Sequence, residues 1–298
     1  MSPDFVHLHT HSSYSPMWGT STLEALCEAV RSQGHDTFAL TDTNGLYGAI
    51  RFLEVAKRAG LKPILGTEII QAQHRAVLLA KSPEGYGNLC RLLSARHEDE
   101  PFEFIETLQR YRSGLVILSD DFQALTAWRA QSGEDLYVEL TPGADLQKAV
   151  SFSRQNSIPP VATTRAALLR PTDFEAHRLL RAIAENTTLS RLRPDCCCAP
   201  SHWLMPSSVM ARALPHVPEA LSNTRRIANQ CATAWDFQTT IFPSFREMSA
   251  DGAVATLRAK TYNGAVWRYG VLSEVVRARI EKELTVIREK RYADYFLV

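Results

Sequence analysis

The chain reads Phe5-Val-His-Leu-His-Thr-His-Ser12 near its amino terminus, with histidine at positions 7, 9 and 11. The pattern predicts a β-strand over Asp4–His9. Alternate residues of a strand share one face and lie about 6.5–7 Å apart, so His7 and His9 would face the same side. Imidazole is a ligand for zinc, iron and manganese. The pair therefore predicts the start of a metal centre, although polar packing of two unliganded histidines explains the H-x-H pattern equally well.

Carboxylates follow the next two predicted strands. Asp42 comes after the apolar run Thr37–Thr41, and Glu68 comes after a run that begins at Pro63. The ends of parallel strands converge on one face of a barrel, so both carboxylates would approach the histidines there. Taken singly, Asp42 could instead cap a helix beside Gly45, and Glu68 could be an ordinary surface carboxylate.

Short β-branched runs alternate with helical patterns through about the first 165 residues, which favours a closed barrel over an open sheet. The later strands are predicted at residues 37–41, 63–66, 76–80, 115–119, 136–140 and 160–163. One helix is expected from Tyr47 to Arg58, ending at Gly60. After Pro171 helices dominate, and the last two are expected at residues 254–269 and 273–290.

The final residues, Tyr295-Phe-Leu-Val298, begin a buried-strand pattern and then stop. An apolar strand without neighbours gains little burial and leaves a sticky edge. We therefore expect the chain to be cut from a longer protein. The alternative is a short terminal strand that docks on this domain.

The composition excludes a disordered polyelectrolyte, since 33 Lys and Arg balance 32 Asp and Glu in 298 residues. Residues 252–298 are nevertheless basic, with nine Lys or Arg against five acids. A solvated amphipathic helix explains this excess, and contact of Arg258–Arg291 with DNA is the alternative. Six cysteines without a C-x-x-C pair and without a hydrophobic leader predict a reduced, cytoplasmic protein, and no apolar run approaches the ~20 residues of a membrane span.

Three segments resemble the opening motifs of the PHP (polymerase and histidinol phosphatase) domain, and more specifically the amino terminus of bacterial DNA polymerase III alpha subunits. They are Phe5-Val-His-Leu-His-Thr-His-Ser, Ala39-Leu-Thr-Asp-Thr-Asn-Gly-Leu-Tyr-Gly and Gly60-Leu-Lys-Pro-Ile-Leu-Gly-Thr-Glu. The match continues in order through Gly85-Tyr-Gly-Asn-Leu, Pro218-Glu-Ala-Leu-Ser-Asn-Thr and Tyr295-Phe-Leu-Val. The resemblance implies an α/β fold, a distorted (β/α)7 TIM-like barrel of PHP type followed by a helical connector.

The resemblance also implies a metal site at the carboxyl ends of the strands. Its predicted ligands are His7, His9 and Glu68, with His11 and Asp42 as further candidates. The implied ion is zinc, manganese or iron at a residual site, and the alternative is that no metal binds.

Several expected ligands of the family are replaced in this chain. Thr43 takes the place of a histidine, Arg75 stands where a histidine is common, and Arg165 and Ala167 replace an Asp-x-His pair. A guanidinium cannot bind a metal, but it can pair bidentately with a carboxylate. We hypothesise that Arg75 and Arg165 replace the charge of missing metals and pair with Glu68 and Asp42, which would turn a hydrolytic centre into a structural ion-pair network.

The implied function is the amino-terminal PHP domain of a DNA polymerase III alpha-like protein, replicative or error-prone, with little or no 3′–5′ exonuclease activity. Residues 1–235 would form the barrel with its helical extension, and residues 236–298 the connector and the start of the polymerase palm. This fragment would lack the polymerase active site. Expected partners are the rest of the polymerase chain, DNA through that chain and other replisome subunits. The alternative is a stand-alone metal-dependent phosphoesterase.

Overall fold

A computed structural model describes residues 5–98, 101–143, 145–237 and 244–298. The chain divides into two compact units, residues 1–235 and residues 236–298. None of the helices in these described ranges is long and apolar enough to span a membrane.

The first unit combines strands and helices. Its strands are β1 Thr37–Leu40, β2 Lys62–Gln71, β3 His74–Ala80, β4 Leu115–Ser119, β5 Leu136–Leu140 and β6 Pro160–Ala162. Its helices are α1 Leu23–Ser32, α2 Ala49–Ala59, α3 Pro83–His97, α4 Phe104–Arg110, α5 Phe122–Gln131, α6 Leu146–Asn156, α7 Phe174–Ala184, α8 Ser207–Ala213 and α9 Pro218–Gln230. Single 3₁₀ turns lie at Pro171–Asp173 and Pro194–Cys196.

The six strands form one curled sheet in chain order, from β1 to β6. The prediction of parallel strands throughout is wrong, because β3 is antiparallel to both β2 and β4, and the other pairs are parallel. The cause is a two-residue turn between Gln71 and His74, in which Ala72 has a φ of 52°. A turn this short can join only antiparallel strands, since a parallel neighbour needs a crossover of a dozen residues or more.

The histidine-rich segment at the amino terminus lies along one edge of the sheet. The backbone carbonyl of His7 accepts a hydrogen bond from the Ala39 N–H of β1 at 2.8 Å. On its other side, the carbonyl of His9 accepts from the N–H of Ala166 at 3.0 Å, just beyond β6. The segment therefore lies between β1 and the chain that follows β6.

A strand was predicted over Asp4–His9. Residues 5–9 do not form one, and Asp4 lies outside the residues that the structure describes. Two threonine hydroxyls explain the difference. The N–H of Val6 donates to Thr224 Oγ1 at 2.8 Å, and the N–H of Thr10 donates to Thr41 Oγ1 at 2.9 Å. Because these two N–H groups donate to side chains, the segment forms no continuous ladder, and its isolated bridge pairs Thr10 with Ala166.

The helices pack their apolar faces against the sheet, as the hydrophobic pattern predicts. The rings of Phe38 on β1 and Phe52 on α2 meet edge to face with centroids 4.9 Å apart. Helix α2 ends at Gly60, whose φ of 71° is the left-handed conformation expected of a helix-terminating glycine. This predicted helix end is confirmed.

The second unit contains three described helices, α10 Ala250–Tyr269, α11 Glu274–Glu289 and α12 Ala293–Leu297. The prediction of a buried strand over Tyr295–Val298 is wrong, because the Phe296 N–H bonds to the Tyr292 carbonyl and the Val298 N–H bonds to the Asp294 carbonyl, both at 3.1 Å. These are helical contacts four residues apart. Phe296 is 56% exposed and Val298 is 78% exposed, so most of the apolar tetrad faces outward.

Candidate metal centre

Three buried side chains converge where the amino-terminal segment ends. His9 and His11 come from that segment, and Glu68 comes from the interior of β2. One ligand atom from each lies within 4.8 Å of the others, which is close enough to hold a single metal ion. Glu68 was predicted to follow a strand, but β2 continues to Gln71 because it forms the hairpin with β3.

The facing atoms are nitrogens and carboxylate oxygens. Nε2 of His11 lies 3.2 Å from Nε2 of His9. The Glu68 carboxylate places Oε1 3.4 Å from His9 Nε2 and Oε2 3.6 Å from His11 Nε2. Two imidazoles and one carboxylate are a donor set that zinc, manganese and iron accept.

The hydrogen bonds of His11 fix which of its nitrogens carries the proton. Nδ1 lies 3.2 Å from Ser15 Oγ and 3.3 Å from Thr43 Oγ1. Both hydroxyls donate elsewhere, Ser15 to Asp42 Oδ1 at 2.7 Å and Thr43 to Glu68 Oε2 at 3.1 Å. They are therefore acceptors toward His11, so Nδ1 carries the hydrogen and the Nε2 lone pair faces His9. A lone pair in this position needs a proton or a cation opposite it.

The electrostatics of the three groups agree with this arrangement. Burial lowers the pKa of His11 to about 3, so the ring is neutral at physiological pH. Burial also lowers the pKa of His9, but the carboxylates of Glu139 and Glu68 outweigh it and leave that pKa above its ordinary value. Burial acts to raise the pKa of Glu68, yet His11, His9 and Arg75 together lower it to about 2. In the absence of an ion, His9 is thus the site's proton carrier.

The structure places His7 outside this group, so the predicted ligand set changes. Its Nε2 lies 3.4 Å from Gln33 Oε1, and its ring packs edge-on against Phe5 and His35 with centroids 4.9 and 5.1 Å away. These contacts belong to His7 alone, and the ligand atoms that converge within 4.8 Å of one another come from His9, His11 and Glu68. Burial lowers the pKa of His7 to about 3.

Asp42 is also separate from the three converging ligands. Its carboxylate accepts hydrogen bonds from the Ser12 N–H at 2.7 Å, the Ser12 hydroxyl at 2.9 Å and the Ser15 hydroxyl at 2.7 Å. Burial raises the pKa of Asp42, and these donors oppose the rise. Asp42 is not the cap of α2 either, because that helix begins after Gly48. It instead fixes the turn that carries the hydroxyl partner of His11.

Arg75 and Arg165 both point at carboxylates, but their main partners differ from those hypothesised. Arg75 donates to both oxygens of Asp120 at 2.9 and 3.1 Å, and its Nε lies 3.8 Å from Glu68 Oε1. Arg165 donates to Glu139 Oε2 from Nε at 3.0 Å and from a terminal nitrogen at 2.7 Å, and it contacts Asp120 at 2.7 Å. Asp42 is held by neutral donors instead.

These contacts close a ring in which acidic and basic groups alternate. The six members, in order, are His9, Glu139, Arg165, Asp120, Arg75 and Glu68. The neighbours in this ring lie between 2.6 and 3.8 Å apart. Three carboxylates face two guanidiniums, so the ring is one charge short of neutrality, and a proton on His9 supplies it.

The interpretation from sequence missed Glu139 and Asp120. Glu139 lies near the end of β5 inside an otherwise apolar strand, Leu136–Leu140, and Asp120 directly follows β4. The rule that singled out Asp42, a carboxylate at a strand end, applies equally to both. Glu139 was overlooked because it lies within an apolar run that predicts a buried strand. A fully buried carboxylate is, however, itself a sign of a paired or functional group.

Comparison with known proteins identifies the relatives of this chain. Residues 7–140 match the PHP domain family. The chain is 30% identical to the error-prone DNA polymerase of Symbiobacterium thermophilum over an alignment that covers 99% of this chain and 31% of that protein. It is 29% identical to DNA polymerase III subunit alpha of Halalkalibacterium halodurans, with 98% of this chain and 29% of that protein covered. The resemblance found in the sequence is confirmed, and the chain spans less than a third of the length of these relatives.

A solved structure of a protein described as a metal-dependent phosphoesterase, from Bifidobacterium adolescentis, aligns with 56% of this chain and 89% of its own. The TM-score is 0.41 and the sequence identity is 13%.

Proposed function

We propose, from the premise that residues 7–140 are a PHP domain, that this chain is the amino-terminal part of a DNA polymerase III alpha-like protein, in which it has a mainly structural role. The observation that carries the proposal is the match to such polymerases over 98% of the chain or more. The whole protein would synthesise DNA in the cytoplasm, during replication or repair. Its partners would be the rest of its own chain, DNA through that chain, and other replisome subunits.

The proposed architecture is a distorted (β/α)7 barrel. The segment around His7 and His9 supports it, because its carbonyls bond to Ala39 on one side and Ala166 on the other, which is the position of a seventh strand. Residues 1–235 would comprise this barrel with its helical extension. Residues 236–298 would be the connector and the beginning of the polymerase palm.

The proposed cofactor is one ion of zinc, manganese or iron held by His9, His11 and Glu68. Support comes from the His11 Nε2 lone pair, which is buried and faces a second imidazole at 3.2 Å. A bound ion would supply Lewis-acid polarisation of a phosphoryl oxygen. The protein itself contributes the two imidazoles, the carboxylate and the hydroxyls that orient them. His7 and Asp42 are left out of this ligand set because their partners lie elsewhere.

Arg75 and Arg165 are proposed to replace the charge of further metal ions. A pair of guanidiniums lies among Asp120, Glu139 and Glu68, where unpaired buried carboxylates would otherwise cost several kcal/mol or become protonated. Their donors occupy carboxylate oxygens that a second ion would need. The centre would therefore stabilise the fold and have little or no exonuclease activity.

Two experiments test these proposals separately. Sequencing of the gene beyond codon 298 is expected to show an open frame that encodes an Asp-x-Asp motif in a palm-like region. A stop codon immediately after Val298 would exclude the polymerase parent. For the cofactor, protein purified without chelator is expected to contain about one equivalent of metal, and the variant Glu68→Gln almost none; less than about 0.2 equivalent in the wild type would exclude the metal site.

A stand-alone phosphoesterase is the second candidate, and the converging His9, His11 and Glu68 are the observation in its favour. It predicts hydrolysis of a chromogenic phosphodiester in the presence of Mn²⁺. The activity would disappear in His9→Ala and persist in His216→Ala, a variant on the loop before α9. Equal residual rates in the two variants would assign the activity to a contaminant.

A further inference from the structure

The carboxylate of Glu139 is surrounded by nitrogen and hydroxyl groups that can donate hydrogen bonds to it. Its side chain is completely buried. Oε1 accepts from the Thr163 hydroxyl at 2.6 Å and lies 2.6 Å from His9 Nδ1. Oε2 accepts two hydrogen bonds from the Arg165 guanidinium, at 2.7 and 3.0 Å. The carboxylate thus bridges a fixed cation and the imidazole of a proposed metal ligand.

These contacts determine how the His9 ring must be protonated. An ionised carboxylate has no hydrogen to give, so the 2.6 Å contact requires a hydrogen on His9 Nδ1. When His9 is neutral, its only lone pair is then on Nε2, which faces His11 Nε2 and Glu68 Oε1. The opposite tautomer would point a hydrogen at the metal position and a lone pair at Glu139.

We propose that Glu139 is a positioning residue that holds His9 in the tautomer able to bind a metal ion, with Arg165 and Thr163 fixing the carboxylate for this purpose. The proposal rests on the metal centre proposed above. A carboxylate that accepts from the far nitrogen of a metal-bound imidazole orients the ring and increases its basicity. Glu139 itself touches no metal position.

The backbone of Arg165 supports a role for the whole arrangement beyond packing. Arg165 has a φ of 45°, in the left-handed region that residues other than glycine seldom adopt. This conformation aims a nearly buried guanidinium at both Glu139 and Asp120. Two guanidinium nitrogens at Oε2 and the Thr163 hydroxyl at Oε1 leave the Glu139 carboxylate surrounded by donors, which is the environment of an acceptor.

Replacement of Glu139 by glutamine separates positioning from simple filling of space. The amide has one oxygen where the carboxylate has two. Arg165 directs two charged donors at one end of the side chain, so the amide oxygen faces Arg165 and the amide NH₂ faces His9. An NH₂ group donates to His9 Nδ1, which shifts the ring hydrogen to Nε2. Glu139→Gln is thus expected to reverse the tautomer with almost no change in side-chain volume.

The matched control is Asp120→Asn. It removes the other carboxylate partner of Arg165 and leaves the contact between Glu139 and His9 intact. Both variants weaken the ion-pair ring, so a purely structural role for Glu139 would affect them alike. A positioning role would change the His9 ring in Glu139→Gln only.

The measurement is a long-range ¹H–¹⁵N correlation spectrum of the histidine rings, made on the full chain without metal at a pH high enough to keep His9 neutral, and repeated with Zn²⁺. The wild type and Asp120→Asn are expected to show hydrogen on Nδ1 of His9, and Glu139→Gln to show it on Nε2. The Zn²⁺ affinity, measured by competition with a chromophoric chelator, is expected to fall about 10- to 100-fold in Glu139→Gln and to change less than about threefold in Asp120→Asn.

If the neutral His9 of the wild type carries its hydrogen on Nε2, the proposal is wrong. This result needs no variant, so the proposal can be tested even if Glu139→Gln does not fold. An equal loss of Zn²⁺ affinity in the two variants would also overturn it. If the wild type binds no Zn²⁺ but shows hydrogen on Nδ1, the metal centre fails while the action of Glu139 on the ring stands.

Discussion

Removal of the Arg165 guanidinium tests whether this side chain replaces a cation in the fold. The variant Arg165→Ala eliminates three contacts, two with Glu139 at 2.7 and 3.0 Å and one with Asp120 at 2.7 Å. Glu139 has no exposure to solvent, whereas Asp120 is about one third exposed and keeps its pair with Arg75. Most of the cost therefore comes from Glu139, left as a buried charge without its cation.

Protonation of Glu139 sets the upper limit of this cost. A glutamate with an unfolded pKa near 4.3 requires about 1.36 kcal/mol for each pH unit above that value to become protonated, or about 3.7 kcal/mol near pH 7. This agrees with the ~3–5 kcal/mol found when one partner of a buried ion pair is removed. We expect the free energy of unfolding to fall by about 3 kcal/mol near pH 7, just below this limit.

The sign of the pH dependence follows from the same argument. In the wild type, burial acts to raise the pKa of Glu139, but the charges of Arg165 and His9 outweigh it and lower that pKa. The ionised Glu139 therefore stabilises the folded protein at pH values above the pKa that this group has in the unfolded chain. This stabilisation is lost as the pH falls through the pKa that the group has in the folded protein. In Arg165→Ala burial still acts to raise that pKa, and only His9 and Arg75 are left to oppose it, so the pKa rises relative to the wild type. The difference between the two proteins should therefore shrink to about 1.5–2 kcal/mol near pH 5.5.

Urea unfolding followed by circular dichroism at the two pH values measures both quantities. The matched control is Arg178→Ala on α7, which removes a guanidinium from a more exposed pair with Glu175 and should cost no more than about 0.5 kcal/mol. A loss below about 1 kcal/mol in Arg165→Ala, or a loss that grows as the pH falls, would refute the argument that Arg165 neutralises a buried carboxylate.

Three further predictions concern the metal centre, the turn beside it and the basic second unit. Metal affinity should rise about tenfold per pH unit up to the pKa of His9, because the ion must displace a proton from that ring. Burial lowers the pKa of His9, but Glu139 and Glu68 raise it further, so the ring holds its proton above its ordinary pKa; a chelator-competition profile that does not change with pH would contradict this prediction. Gly19→Ala should cost at least about 2 kcal/mol in urea unfolding, because the new Cβ would lie 1.9 Å from the Ser12 carbonyl oxygen, whereas Gly264→Ala, with nothing within 4 Å, should not destabilise; equal costs would be contrary to expectation. The full chain should leave DNA-cellulose below about 0.2 M salt, because Arg258 is already paired with Glu281; retention above that concentration would indicate a DNA-binding surface.

The strands with fully buried faces were predicted best. β4 and β5 begin and end where the apolar runs Leu115–Ser119 and Leu136–Leu140 predict, because a continuous buried run has no other stable position. β2 and β3 were predicted too short, since the hairpin extends through polar residues such as Gln71 and His74, whose hydrogen bonds come from pairing and not from burial. A run of four residues such as Tyr295–Val298 cannot distinguish a strand from a helix.

The candidate site was predicted in its chemistry more than in its geometry. Alternation in an ideal strand favoured His7 with His9, but the segment forms no continuous ladder, and His11 takes the place assigned to His7. The partner of Arg165 could not be read from sequence, because Glu139 lies 26 residues away and is brought near only by the pairing of β5 with β6. Long-range pairing of this kind depends on the assembled sheet.

Anomalous diffraction from crystals of the full chain soaked in Zn²⁺ tests most directly whether one metal ion and two guanidiniums share this centre. We predict a single strong peak about 2.0–2.2 Å from Nε2 of His9, Nε2 of His11 and an oxygen of Glu68, with the Arg165 guanidinium still seated on Glu139. A second peak between Glu139 and Asp120, with Arg165 displaced, would contradict the account, and so would the absence of any peak at the three ligands.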